Sequence, residues 1–98
     1  MKKEQKIREK IENLKQKLTG LGDMRPGSLT RQVRSWGKEY WQISYTHKGR
    51  GRTGYVSNEN YKRVKQETEN YKIFRAFCAE LIDLYIELGK LTDKETDS

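Results

Sequence analysis

Residues 48–54 read "KGRGRTG", so Lys48, Arg50 and Arg52 lie close together with no acid among them. Glycines between the arginines would let the backbone approach a phosphate while the guanidinium forks grip its oxygens. The same residues would equally suit a solvated turn. Residues 49–54 also match G-x-G-x-x-G literally, and with Tyr55 and Val56 they match the kinase-type G-x-G-x-x-G-x-V. Context argues against both nucleotide readings. A dinucleotide fingerprint lies between a strand and a helix, whereas here a β-type segment follows. A kinase would need "HRD" and "DFG" loops, and the chain contains neither. The glycines therefore read as turn residues, with the cations as a separate signal.

A second set lies on flanking β-segments. Thr30, Gln32, Arg34, Gln42, Ser44 and Thr46 would share one face, flanked by Trp36 and Tyr40. Every half-exposed antiparallel sheet has a polar face. This one carries no acid, and Gln, Arg and Thr are side chains that read base edges from a sheet in a groove. Its aromatics would alternatively stack on unpaired bases. Lys62 and Arg63 form a third set, together with Lys65, near the expected start of a long helix, where the dipole disfavours cations unless an anion is near. They are candidates to join Arg50 and Arg52 in one phosphate-facing patch. Ordinary helix surface, partly neutralised by Glu59 and Glu67, is the competing reading.

Catalytic chemistry finds no comparable constellation. His47 is the only histidine and Cys78 the only cysteine, so one chain can build neither a disulfide framework nor a His/Cys metal site. His47 has no neighbouring carboxylate in sequence, and Cys78 sits among Phe77, Leu81 and Ile82, where packing is expected. Glu80, Asp83 and Glu87 read as a solvated helix face. The expectation is a non-enzymatic protein without cofactor, metal or catalytic residues.

Three β-segments must position the basic and polar sets: residues 28–36, 40–47 and 52–57, rich in β-branched and aromatic side chains. A three-residue turn at Gly37-Lys38-Glu39 would keep the apolar sets on one face, with Val33 beside Ile43, Arg34 beside Gln42 and Trp36 beside Tyr40. For the second hairpin a Lys48-Gly49-Arg50 turn is favoured, with Tyr55 beside Ile43. A shorter Lys48-Gly49 turn, with Val56 beside Trp41, stays open.

Helices are expected on either side. Ile7, Ile11, Leu14 and Leu18 form a heptad-like stripe over residues 3–19, ended by "TGLGD", and "MRPGS" reads as a turn. "SNEN" caps a helix over about 59–91, whose Phe74, Phe77, Leu81, Leu84, Leu88 and Leu91 repeat the spacing. Its first half should cover the sheet. Its second half should pair with the first helix, from the same chain or a second copy. "TDKETDS" reads as a frayed tail. The fold class is α+β: an N-terminal amphipathic helix (1–22), then a three-stranded antiparallel β-meander and long C-terminal helix (24–98) packed as a single domain.

Charge agrees with an anionic partner. The 98 residues carry a net +7. Residues 26–58 hold six basic side chains against Glu39 alone, while residues 59–98 hold seven against nine acids. Such asymmetry favours a polyanion over simple solubility. The charged N-terminus contains no apolar stretch for a signal peptide or membrane span, so a cytoplasmic protein is expected.

The motifs "PGSL" (26–29), "WGK" (36–38), "WQISY" (41–45), "GRGR" (49–52), "YV" (55–56) and "NYKIF" (70–74) resemble a small uncharacterised prokaryotic domain family, a domain of unknown function. The resemblance covers roughly residues 24–80. Many members carry cysteines at the first turn, where this chain has Ser35-Trp36-Gly37, so no metal or thiol role transfers. Such genes tend to resemble passengers of mobile elements. Three strands followed by a helix is also similar, at the level of fold, to arm-type DNA-binding domains of phage integrases. The combined expectation is a nucleic-acid partner, double-stranded DNA favoured over RNA, held by Arg34, Gln42, Lys48, Arg50, Arg52, Lys62, Arg63, Gln32, Ser44, Trp36 and Tyr40. The alternative is a protein interaction module that dimerises or docks on a helical partner through its heptad-like stripes.

Overall fold

The computed structural model describes residues 2–96, with elements α1 (Lys2–Thr19), β1 (Ser28–Val33), β2 (Glu39–His47), β3 (Arg50–Val56) and α2 (Tyr61–Thr96). The α+β order of helix, antiparallel meander and long helix is the one the residue pattern predicts. Residues 97 and 98 of the expected tail lie outside the described residues. The chain forms two compact units, one built from α1 and the part of α2 beginning at Ile73, the other from Gly22–Lys72.

In the helical unit, Ile7, Ile11 and Leu14 are the buried stripe of α1. Ile7 and Ile11 pack with buried Leu88 and half-buried Leu81, Leu84 and Leu91 of the same chain. Lys17 lies over the Phe77 ring and Lys15 over Tyr85, so the two helices run in opposite directions. A hydrogen bond to Tyr85 holds the Lys15 pKa above the ordinary lysine value. α1 stops where the amide of Gly20 turns back onto the Gln16 and Lys17 carbonyls.

In the sheet unit the strands lie in the order β1-β2-β3, and Ile43, Val56 and Val64 form the buried centre with Leu29 and Trp41 against it. Tyr61, the first residue of α2, stacks on Trp41 at 4.3 Å between ring centroids. The helix starts two residues later than expected, because Asn60 supplies the carbonyl that accepts the Val64 amide and so acts as the N-cap. Gly27 passes so close to Ile43 that a Cβ on it would fall 2.6 Å from Cγ1. Asn70 fastens the preceding loop. Its amide donates to the Asp23 carbonyl at 2.9 Å and accepts from Gln66 at 2.8 Å.

The first hairpin corrects the expected register, and the second takes the shorter of the two turns left open. Leu29, not Val33, pairs with Ile43; Gln42 pairs with Thr30 and Tyr40 with Gln32, while Val33 lies opposite Glu39 and is 64% exposed. The first turn has the expected three-residue length but is Ser35-Trp36-Gly37, closed by the Arg34 amide on the Lys38 carbonyl. The reason is backbone geometry. A three-residue hairpin loop needs its last residue in the left-handed region, and Gly37, at φ 87°, takes that place. Placing glycine first in the loop shifts the pairing by four residues. In the second hairpin the shorter turn is present: Lys48 (φ 52°) and Gly49 (φ 79°) form a two-residue loop, and Val56 pairs with Trp41. Two consecutive positive φ angles match the twist of the strands, as the longer loop would not.

Candidate nucleic-acid interface

Pairing across the sheet assigns each side chain to a face, because successive residues of a strand alternate. Leu29, Trp41, Ile43 and Val56 face α2. The opposite, open face carries Thr30, Gln32, Tyr40, Gln42, Ser44 and Thr46, joined from β3 by Thr53 and Tyr55. No acid lies on it. Glu39, the one acid of the strands, belongs to the other face and pairs with Arg31.

Arg34, one residue past the end of β1, lies at the first-turn end of this face. Its guanidinium carbon lies 4.8 Å from the Tyr40 ring centroid and 5.4 Å from that of Trp36. Tyr55 extends the cluster, its ring 6.2 Å from Tyr40. Trp36 and Tyr55 are 69% and 68% exposed, a large aromatic surface left to water. Two shallow clefts adjoin at Arg34, Tyr40 and Tyr55. One, of about 410 Å³, continues past Trp36, Lys38 and Glu39 to Asn58, and the other, of about 300 Å³, reaches Gln42 and Thr53. The rings limit the rotamers of Arg34, which forms no ion pair among the described residues.

The sequence expectation of Arg34 as the cross-strand neighbour of Gln42 is therefore replaced by a shared cleft. Trp36 is not a strand residue opposite Tyr40 but part of the turn, and it meets Tyr40 through Arg34. Gln32 donates to Thr30 at 3.1 Å on the exposed face. Tyr55 was missed by the favoured register, which put it beside Ile43; the two-residue turn was the signal that moves it to the open face.

The basic tip is a separate place. Lys48, Arg50 and Arg52 are all exposed, with Arg50 opposite His47 and Arg52 opposite Tyr45. By alternation both arginines project from the α2 side of the sheet, opposite to Arg34. Trp41, on which α2 begins, and His47, beside the tip, are six strand residues apart, about 20 Å. Lys62 and Arg63 therefore do not join the tip in one patch. Arg63 is also engaged, both Glu67 oxygens lying 3.1 Å from its Nη1, and Glu67 holds Arg25 at 3.1 Å as well. Within the sheet unit, Arg25, Arg31 and Arg63 have carboxylate partners, whereas Arg34, Arg50 and Arg52 have none among the described residues.

Among the described residues no group of His, Cys, Asp or Glu could hold a metal ion, and no helix is long and apolar enough to cross a membrane. Compared with known proteins, the chain matches no family model, no curated protein and no solved structure.

Proposed function

We propose that the chain binds nucleic acid, double-stranded DNA first, through the open face of its sheet, with the basic tip gripping phosphates at one end. The observation that carries this reading is Arg34, held between Trp36 and Tyr40 on a face without acids. An arginine oriented by rings suits bidentate contact to the O6 and N7 of guanine. Gln42, in the adjoining cleft, suits adenine. Lys48 sits in the two-residue turn and Arg50 and Arg52 at the start of β3 beside it, with no ring over them, and they serve charge rather than reading.

The exposed rings support a second reading of the same face, in which Trp36 and Tyr55 stack on unpaired bases. Titration against duplex DNA, single-stranded DNA and RNA at two salt concentrations separates the two. With the three tip cations as phosphate contacts, log K on duplex should fall with log salt at a slope of about −3. A flat salt response would remove the proposal, and tighter binding to single strands would replace duplex by unpaired bases.

A further inference from the structure

In the helical unit α1 covers one side of α2, along Leu81, Leu84, Leu88 and Leu91. A second seam on that helix is exposed at its centre. Arg75, Ala79, Ile82, Ile86, Gly89 and Asp93 follow at steps of four, three, four, three and four. At 100° per residue this seam lies roughly 150° around the helix from the covered stripe. Ile82 is 59% and Ile86 53% exposed, and a Cβ on Gly89 would meet nothing within 4 Å. Heptad spacing keeps one face of a helix against another helix over several turns. On a helix buried on one side only, the opposite side ordinarily carries charged and polar residues.

We infer that this seam is a homodimer interface, occupied by the same seam of a second copy running antiparallel. The residue order selects both partner and direction, because the seam is its own complement when read backwards. About a twofold axis beside residue 84, Ile82 meets the partner's Ile86, Ala79 meets the partner's Gly89, and Arg75 meets the partner's Asp93. Apolar faces apolar, small faces small and cation faces anion, each twice, as an isologous interface requires. The small pair lets the helices approach closely, since side-chain size sets the interaxial distance. A parallel arrangement would instead oppose Arg75 to itself and Asp93 to itself, which disfavours it. Asp83 and its symmetry mate flank the axis, a weak repulsion that the two Arg75–Asp93 pairs offset. The seam runs from Arg75 to Asp93 and so uses only residues of the helical unit. This inference stands independently of the nucleic-acid proposal.

Two isoleucines per chain make a modest interface, so a reversible dimer with a micromolar dissociation constant is expected. Sedimentation equilibrium of the full chain over a wide concentration range should show monomer passing to dimer and no further. Ile82→Asp combined with Ile86→Asp should weaken association at least about a hundredfold. Because both side chains are exposed, helicity and melting of the dilute monomer should not change. Direction is read by disulfide capture in a Cys78→Ala background. A chain with Ile82→Cys should cross-link to a chain with Ile86→Cys, and a chain with Arg75→Cys should not cross-link to itself. A protein that stays monomeric throughout, a dimer that survives the double aspartate variant, or self-capture at position 75 would each overturn the inference.

Discussion

Replacing Arg34 by alanine tests whether the open face reads bases or only attracts charge. The guanidinium sits 4.8 Å and 5.4 Å from two ring centroids, at an exposed site where each such contact is worth about 0.5–1 kcal/mol. Arg34→Ala should therefore cost the fold only about 1–2 kcal/mol, too little to unfold a domain of ordinary stability. Its effect on binding should be selective. A bidentate base contact is worth about 1–3 kcal/mol of discrimination, so preference for a selected duplex over a random one should fall by that amount. Arg34→Lys keeps the charge but loses the planar fork, and should lose preference nearly as fully. Gln42→Ala should behave like Arg34→Ala. By contrast, Arg50→Ala and Arg52→Ala should weaken binding to all duplexes alike, each reducing the salt slope by about one. The assay is competition between selected and random duplexes for each variant, at two salt concentrations. If Arg34→Ala lowers both affinities equally and flattens the slope, Arg34 grips backbone and the reasoning fails. If it changes neither, the ring cluster is merely the wet side of a sheet.

Gly27→Ala should destabilise the chain by about 2–4 kcal/mol in denaturant unfolding, since its methyl would fall 2.6 Å and 2.7 Å from Ile43 side-chain carbons at a φ of 148°. Ile43→Val, which removes one of those carbons, should recover part of that loss; no recovery would mean that backbone strain alone carries it. Leu88→Ala should cost about 2–5 kcal/mol because Leu88 is buried against Ile7 and Ile11, and a loss below about half a kcal/mol would refute that packing.

The legible parts of the fold were those set by periodicity. Ile7, Ile11 and Leu14 announced the buried face of α1, and the leucines at 81, 84, 88 and 91 announced its partner stripe. The hairpin registers were less legible, because composition marks where turns fall but not which residue closes them. In the first hairpin the deciding quantity is the φ of Gly37, and in the second it is that of Lys48, a residue type that carries no sequence signal for the left-handed region. Anchors such as Asn70 on the Asp23 carbonyl were illegible for another reason: they join residues 47 apart in the chain, and nothing local marks either end.

The candidate site tolerated one register error and not the other, and parity explains the difference. Moving the first turn from residues 37–39 to 35–37 shifts the pairing by an even number of residues. Side chains alternate with period two, so Thr30, Gln32, Gln42 and Ser44 keep their common face whichever turn is chosen. Shortening the second turn by one residue changes parity instead. Every side chain of β3 then exchanges faces: Val56 enters the core, Tyr55 joins Tyr40 on the open face, and Arg50 and Arg52 move to the opposite side from Arg34. The one-residue choice at Lys48-Gly49 thus separates the arginines into two groups with different surroundings. One, just past the end of β1, stands against two aromatic rings that limit its rotamers. The others flank a tight turn with no ring over them, where only charge is fixed. That division, and not the number of basic residues, is why base reading is assigned to Arg34 and phosphate grip to Arg50 and Arg52.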